Sequence, residues 1–335
     1  MSVIITVNAG STNIKLAAFD TKTLEQKGHI VTNNKAEAIE WLCSIGSLGI
    51  AGISHRIVHG GHLFAHPMLI TNALLVKLKE LIPLAPLHQP AALDMIAETQ
   101  KLYQEVPQIA CFDTAFHHTI PELARKYSLP EWYYNEGIQR YGFHGLSYQY
   151  IASKLQEVAP HNPLRRVIVA HLGGGSSACA MLNLHSVDTT MGFSTLEGMM
   201  MSTRSGSIDP GVILYLLNEL EMKPDEVRRL LYLESGLLGV SGFSYHMKDL
   251  LASTNPKAKE AIELYCNLAA KQISSLLPSI GGLDALVFTG GIGENESEIR
   301  DKIVHQLRWV SEFETLVIPT NEELMLAKSC KDLIS

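Results

Sequence analysis

Val3-Ile4-Ile5-Thr6-Val7-Asn8-Ala9-Gly10-Ser11-Thr12-Asn13-Ile14-Lys15-Leu16-Ala17-Ala18-Phe19 is the stretch from which the fold can be read. Val3–Val7 is a short apolar run, Asn8–Asn13 a polar turn of Asn, Gly, Ser and Thr, and Ile14–Phe19 a second apolar run. Together they predict a β-hairpin. The same grammar returns at Arg166–Met181, where Val167–Ala170 leads into His171-Leu172-Gly173-Gly174-Gly175-Ser176-Ser177 and then a further apolar run. This repetition points to an ancient duplication. A third variant, Ala285–Thr289, feeds the glycine turn Gly290-Gly291-Ile292-Gly293-Glu294-Asn295 and a helix-forming stretch from Glu296 to about Leu307.

Between these copies, Leu87–Tyr103 and Tyr148–Leu155 are predicted as helices and Gln108–Phe112 as a strand ending at Asp113. Asn255-Pro256 supplies a helix N-cap followed by Pro at the first helical position, opening a long amphipathic helix to about Leu277. Hairpins mixed with crossover helices give an α/β fold class. At 335 residues the chain has room for two domains, and the boundary is expected near Gly145. The lobes are taken as 1–145 plus 322–335 and 146–321.

Composition bounds the function. Hydrophobic residues are 46% and charged residues 18%, an ordinary globular balance. The net charge of −7 does not draw in nucleic acid or an anionic membrane surface, so any anion must be held by a local cluster. Five widely spaced cysteines, none in a C-x-x-C pair, argue against a disulfide scaffold or a Cys-based zinc site. The start of the chain has no basic n-region and no run of about 18 apolar residues occurs. The expectation is a cytoplasmic protein with neither nucleic-acid nor membrane partners.

Glycine turns that follow buried strands let backbone approach phosphate oxygens closely, although each taken singly is also an ordinary tight turn. None matches the P-loop or the dinucleotide fingerprint. The run His55-Arg56-Ile57-Val58-His59-Gly60-Gly61-His62 puts one Arg and three His into eight positions, which suits an anionic ligand or a solvated loop. A zinc reading of His55 and His59 is set aside because H-E-x-x-H is absent. Arg204 is a lone cation in an apolar and small-residue stretch, so Asp209 or a ligand is expected to pair it. Asp113 either caps a helix or needs a partner or a metal. Thr320 and Glu323 have capping-box spacing. That box leaves Glu322 unexplained and available for Mg2+.

Taken together, several runs resemble one family, the acetate kinases and their propionate kinase relatives. They are Val7-Asn8-Ala9-Gly10-Ser11 with Lys15; His55–Gly61; Pro83–His88; Phe112-Asp113-Thr114-Ala115-Phe116-His117; Arg140–Gly145; and His171-Leu172-Gly173 with Gly175-Ser176-Ser177. Further on come Met191-Gly192-Phe193, Leu196-Glu197-Gly198, Thr203–Gly206 with Asp209-Pro210, Phe288-Thr289 with Gly291–Asn295, and Pro319–Glu323.

The resemblance implies the acetate and sugar kinase/Hsp70/actin superfold: two ribonuclease H-like lobes with an interlobe nucleotide cleft, as a homodimer. It implies transfer of the ATP γ-phosphoryl to acetate or propionate, giving acyl phosphate and ADP by direct in-line transfer with Mg2+, or Mn2+ in its place. Carried over by position, Arg56, Asp113, Arg204, His144 and His171 are expected to be catalytic. Arg56, Val58, Leu87, His88 and Phe143 would bind the short carboxylate. The nucleotide would meet Asn8, Lys15, His171, Gly173, Gly175, Met247, Lys248, Gly291, Ile292, Gly293 and Asn295, and Asn8 with Glu322 would hold the metal.

The chain departs from the family pattern at Asn13 (usually Ser), Gly174 (usually Asn), Thr195 (usually Pro) and His246-Met247-Lys248-Asp249 at the adenosine border. It is also shorter than typical members, mainly between Asp20 and His55 and between Arg300 and Leu316. These departures keep two other readings open: a catalytically impaired nucleotide-binding or regulatory protein, or an acyl kinase with another donor such as pyrophosphate or GTP.

Overall fold

A computed structural model describes residues 2–10, 13–158 and 164–335. Ser11, quoted in the first glycine motif, lies outside the described residues. Contacts divide the chain into two compact units. The first comprises Met1–His118, Phe143–Tyr150 and Asn321–Ser335, and the second Thr119–Gly142 and Ile151–Thr320. Thr119–Gly142, which the sequence reading grouped with the first lobe, falls in the second unit.

The first unit holds a six-stranded sheet made of β1 (Val3–Ala9), β2 (Ile14–Asp20), β3 (Gln26–Thr32), β4 (Ile50–Ile57), β5 (Met68–Leu69) and β6 (Gln108–Phe112). The order is β3-β2-β1-β4-β6-β5. β1 and β2 form the expected hairpin, pairing antiparallel from Val3 with Asp20 to Ala9 with Ile14. β4 runs parallel to both β1 and β6.

Strand side chains alternate between faces, and two cores follow from that period of two. Ile4, Ala17, Phe19, Ile109 and Cys111 pack against Met325, Leu326 and Cys330 of the C-terminal helix Glu322–Ile334. On the other face Ile5, Val7, Leu16 and Ile53 pack with Met95 of the helix Gln89–Leu102, while Ile57, Ala110 and Phe112 pack with Ile96 of that helix.

The second unit repeats the plan. β7 (Arg166–Leu172), β8 (Ser176–Leu182), β9 (His185–Thr189), β10 (Ala285–Thr289) and β11 (Glu314–Val317) form a sheet in the order β11-β10-β7-β8-β9. β7–β8–β9 is an antiparallel meander, and β10 lies parallel to β7 and β11. Read from the meander outward, both sheets have the order third, second, first, fourth, next. The duplication inferred from the two hairpins is therefore present at the level of topology. A single core cluster joins β7, β8 and β10 to the helix Pro256–Ser275, which Asn255 caps through the Lys257 amide at 2.9 Å as its sequence predicts.

Two local readings need correction. Gly290–Asn295 is itself helical rather than a turn, followed by the helix Ser297–Gln306. The C-terminal helix is capped by Asn321, whose side chain accepts from the Leu324 amide at 2.9 Å, and not by Thr320. The asparagine carbonyl sits one residue closer to the free amides, which leaves the Thr320–Glu323 box unformed. Among the described residues no helix is long and apolar enough to cross a membrane.

Candidate active site

In the first unit three predicted residues stand at the carboxyl ends of neighbouring strands, where side chains gather at the edge of a parallel sheet. Asn8 is the next-to-last residue of β1, Arg56 the next-to-last of β4, and Asp113 follows β6 directly. The register carries the argument: parallel pairing sets Val7 beside His55 and Arg56 beside Cys111, so residues far apart in sequence end at one edge. The fourth member, Glu322, opens the helix packed on this sheet.

These four side chains touch. Arg56 Nε donates to Asp113 Oδ1 and Oδ2 at 3.0 and 3.1 Å, and its Nη2 donates to Oδ2 at 2.6 Å. Arg56 Nη1 donates to Asn8 Oδ1 at 3.1 Å and lies 3.4 Å from Glu322 Oε2, which also accepts from Asn8 Nδ2 at 3.4 Å. Asp113 is 1% exposed. Burial alone works against the Arg56 charge, but the Asp113 and Glu322 carboxylates outweigh it and hold the guanidinium firmly protonated. Burial, with Glu322 beside it, pushes the Asp113 carboxyl up against the opposing pull of Arg56 and the His144 main-chain amide. The cluster sets two carboxyl groups against one guanidinium, an oxygen-rich surrounding that suits a cation beside it.

His144 has φ +57°, a sparsely populated conformation for a non-glycine residue. The turn it makes aims its amide at Asp113 and passes to Gly145, whose own N–H donates to the Asp113 carbonyl at 3.0 Å. A methyl added at Gly145 would run into that carbonyl oxygen. Gly145→Ala is therefore expected to displace the end of β6, costing about 1–3 kcal/mol of stability and about 100-fold in turnover. Thermal denaturation and steady-state rates read both, and wild-type values would refute the contact.

The apolar candidates have mixed positions. Val58 and Phe143 are buried, Leu87 is half-buried, and His88 is buried just ahead of the helix Gln89–Leu102. Phe143 meets the ring of His59, the residue after Val58, edge-on at 5.3 Å. Its carbonyl lies 2.9 Å from His117 Nε2. Burial brings the His117 imidazole down to about 4, so it is neutral and donates to that carbonyl. His117 is a residue that sequence reasoning quoted but gave no role. Lys15 stands on β2 opposite Asn8.

The second unit gathers a different set. His171 is the next-to-last residue of β7, the position Asn8 has in β1, and Gly173–Gly175 turns from β7 into β8. A methyl built on Gly173 would lie 3.7 Å from the Gly291 amide, so the two glycine segments adjoin. Gly290 has φ +78° and its added methyl would meet the Leu172 carbonyl at 2.7 Å, a place only glycine fills. Ile292 and Gly293 are buried, while Asn295 turns back to donate to the Gly291 carbonyl at 2.8 Å. The Arg204 loop borders the same turn, since the Ser202 amide donates to the Gly174 carbonyl at 3.3 Å.

Arg204 Nη1 donates to the Thr195 carbonyl at 3.1 Å. Asp209, offered as its partner, instead caps the helix Pro210–Asn218 through the Gly211 amide at 2.7 Å. Met247, expected at the nucleotide, is packed in the second unit's apolar core, whereas Lys248 is exposed. The sequence reading also passed over Glu294. Its Oε1 accepts from the Gly290 and Thr320 amides at 2.9 and 3.0 Å, tying the glycine helix to the end of the segment after β11. An acid inside a glycine-rich run was the available signal.

Two sheets of one topology, with polar side chains at the strand ends of one and a glycine turn beside a glycine-rich helix start at the other, define a member of the acetate and sugar kinase/Hsp70/actin superfold. A family model described as the acetokinase family matches residues 29–311. An acetate kinase of Rhodopseudomonas palustris (strain ATCC BAA-98 / CGA009) is 41% identical over 385 aligned positions, covering 97% of this chain and 97% of that protein. Those positions outnumber the 335 residues here, so that relative carries segments without counterpart in this chain. Among solved structures, a propionate kinase from Francisella tularensis subsp. tularensis SCHU S4 matches with a TM-score of 0.91 at 34% identity, over 99% of this chain and 100% of its own. Porphyromonas gingivalis acetate kinase matches with a TM-score of 0.86 at 29% identity, over 100% of both chains. The chain belongs to the acetokinase family.

Proposed function

We propose that this chain is an acyl kinase, moving the γ-phosphoryl of ATP reversibly onto acetate or propionate to give acyl phosphate and ADP. The observation that carries the reading is the buried Asn8–Arg56–Asp113–Glu322 cluster at the strand ends of the first sheet. A carboxylate is already a nucleophile and needs no base, so the protein's task is positioning and charge neutralisation. Arg56, fixed in plane by Asp113, orients the acid. Arg204 meets charge on the transferring phosphoryl, and His144 and His171 donate to its oxygens. Val58, Leu87 and Phe143 limit the acyl chain, with His88 nearby.

Nucleotide contacts fall to Asn8, Lys15, His171, Gly173, Gly175, Gly291–Gly293, Asn295 and Lys248. The oxygen donors of Asn8 and Glu322, in a cluster with two carboxyl groups to one guanidinium, suit Mg2+ or Mn2+. Among the described residues no group of three or more His, Cys, Asp or Glu is arranged to hold a metal. A divalent ion would therefore take the rest of its shell from nucleotide and water. When bound, it offsets the phosphate charge.

Incubating the protein with acetate, ATP and Mg2+, trapping acyl phosphate with hydroxylamine and following ADP tests the reading. Nucleotide binding without acyl phosphate would overturn it in favour of a regulatory protein on the same fold. The core position of Met247 favours a second reading, an altered donor preference, which a panel of ATP, GTP and pyrophosphate at fixed acetate decides.

We also propose a cytoplasmic homodimer. All five cysteines are free thiols, in keeping with a reducing compartment. The helix Pro210–Asn218 has no buried residue, and Val212, Leu214 and Tyr215 are 46%, 59% and 57% exposed, a helical apolar face that a second copy would cover. Leu214→Glu is expected to convert the dimer to monomer by light scattering, and an unchanged mass would refute this face.

A further inference from the structure

Tyr265 is a buried phenol to which the reaction above gives no part. It lies within the helix Pro256–Ser275, 1% exposed, among the apolar side chains of the second unit's core. A buried tyrosine hydroxyl needs a partner, and this one stands 3.0 Å from Ser176 Oγ, itself fully buried at the start of β8. Ser176 Oγ in turn lies 3.2 Å from both the amide nitrogen and the carbonyl oxygen of Gly173.

The protons in this chain can be assigned. The Gly173 amide can only donate, so Ser176 Oγ accepts from it. The Gly173 carbonyl can only accept, so the Ser176 hydroxyl proton goes there. The remaining contact then requires the Tyr265 hydroxyl to donate to Ser176 Oγ, which makes two acceptances and one donation at that oxygen, its full capacity. Burial pushes the phenol well above its ordinary range, so it keeps the proton it must give. Without the phenol the serine hydroxyl is free to rotate away from Gly173.

We infer that Tyr265 is a positioning residue for the glycine turn Gly173–Gly175: acting through Ser176, it ties down both backbone groups of Gly173 and so holds the rest of the turn in the geometry that receives nucleotide phosphate. The inference rests on the acyl-kinase reading for the role of that turn. It assigns part of nucleotide affinity to a side chain in the apolar core. The acid substrate, by contrast, is served by groups that this hydroxyl does not touch.

Tyr265→Phe keeps the ring and removes only the hydroxyl. With the full-length protein, KM for ATP is expected to rise about tenfold, the loss of one buried hydrogen bond, while KM for acetate and kcat stay within about twofold. Ser176→Ala is expected to raise the same KM, and the double variant to go no further than Ser176→Ala, because the phenol acts only through the serine. An unchanged KM for ATP in Tyr265→Phe, additive effects in the double variant, or a parallel rise in both KM values would overturn the assignment.

Calorimetric titration with ADP alone separates this from failure of the acyl-kinase reading. If the wild type makes no acyl phosphate, that reading falls. A roughly tenfold weaker ADP affinity in Tyr265→Phe still supports the positioning role, and equal affinity overturns it.

Discussion

Asp113→Ala is expected to lower the stability of the protein by about 3–5 kcal/mol and to stop acyl phosphate formation. The cost comes from what is left behind. Arg56 gives three of its hydrogen bonds to Asp113 at 2.6 to 3.1 Å, and without that carboxylate a largely buried guanidinium keeps only the longer contacts to Asn8 and Glu322. Breaking a buried pair by deleting one partner carries this penalty because the remaining charge is uncompensated. Replacing both members, as in Arg56→Met with Asp113→Leu, is expected to restore part of the stability, because Glu322 loses its guanidinium as well, and none of the turnover. Thermal denaturation with the hydroxylamine assay distinguishes the outcomes. A stable Asp113→Ala variant would show that the pair is not a structural charge couple, and an active double variant would remove Arg56 from the reaction.

Arg204→Ala is expected to cut kcat by about 10³-fold, the lower range for an arginine that meets charge on a transferring phosphoryl group, with little change in folding. Arg204 Nη1 is bonded to the Thr195 carbonyl rather than to Asp209, so truncation removes a positioned cation without stranding that carboxylate, which stays occupied as a helix cap. Arg204→Lys is expected to recover little, since an ammonium cannot reproduce the planar fork. Normal turnover in either variant would end the assignment.

How far the chain could be read from its letters depended on the range of the interaction involved. The hairpins Val3–Phe19 and Arg166–Met181 were legible because alternation and a glycine-rich turn are local signals, and so was the Asn255-Pro256 helix start. Gly290–Asn295 was read as a turn because glycine disfavours helix. The Glu294 carboxylate that accepts from the Gly290 amide, and the space only glycine fills beside Leu172, reverse that preference.

At the site, Arg56 was legible as a cation suited to an anionic ligand and Asp113 as a carboxylate in need of a partner. That they partner each other follows only from the parallel register of β4 and β6, which no short motif encodes. The same holds for Asp209 and Met247, whose roles were decided by a helix terminus and by core packing.

The doubled sheet has a consequence for how the protein tolerates change. At the strand ends, one copy presents a network of polar side chains and the other adds glycine-rich main chain that is crowded at Gly290, where an added methyl would meet the Leu172 carbonyl, and open at Gly174 and Gly291. Truncating mutations should therefore injure the former, while in the latter a scan to alanine should single out Gly290 and spare Gly174 and Gly291, so one substitution series would trace two different maps across one ancestral blueprint.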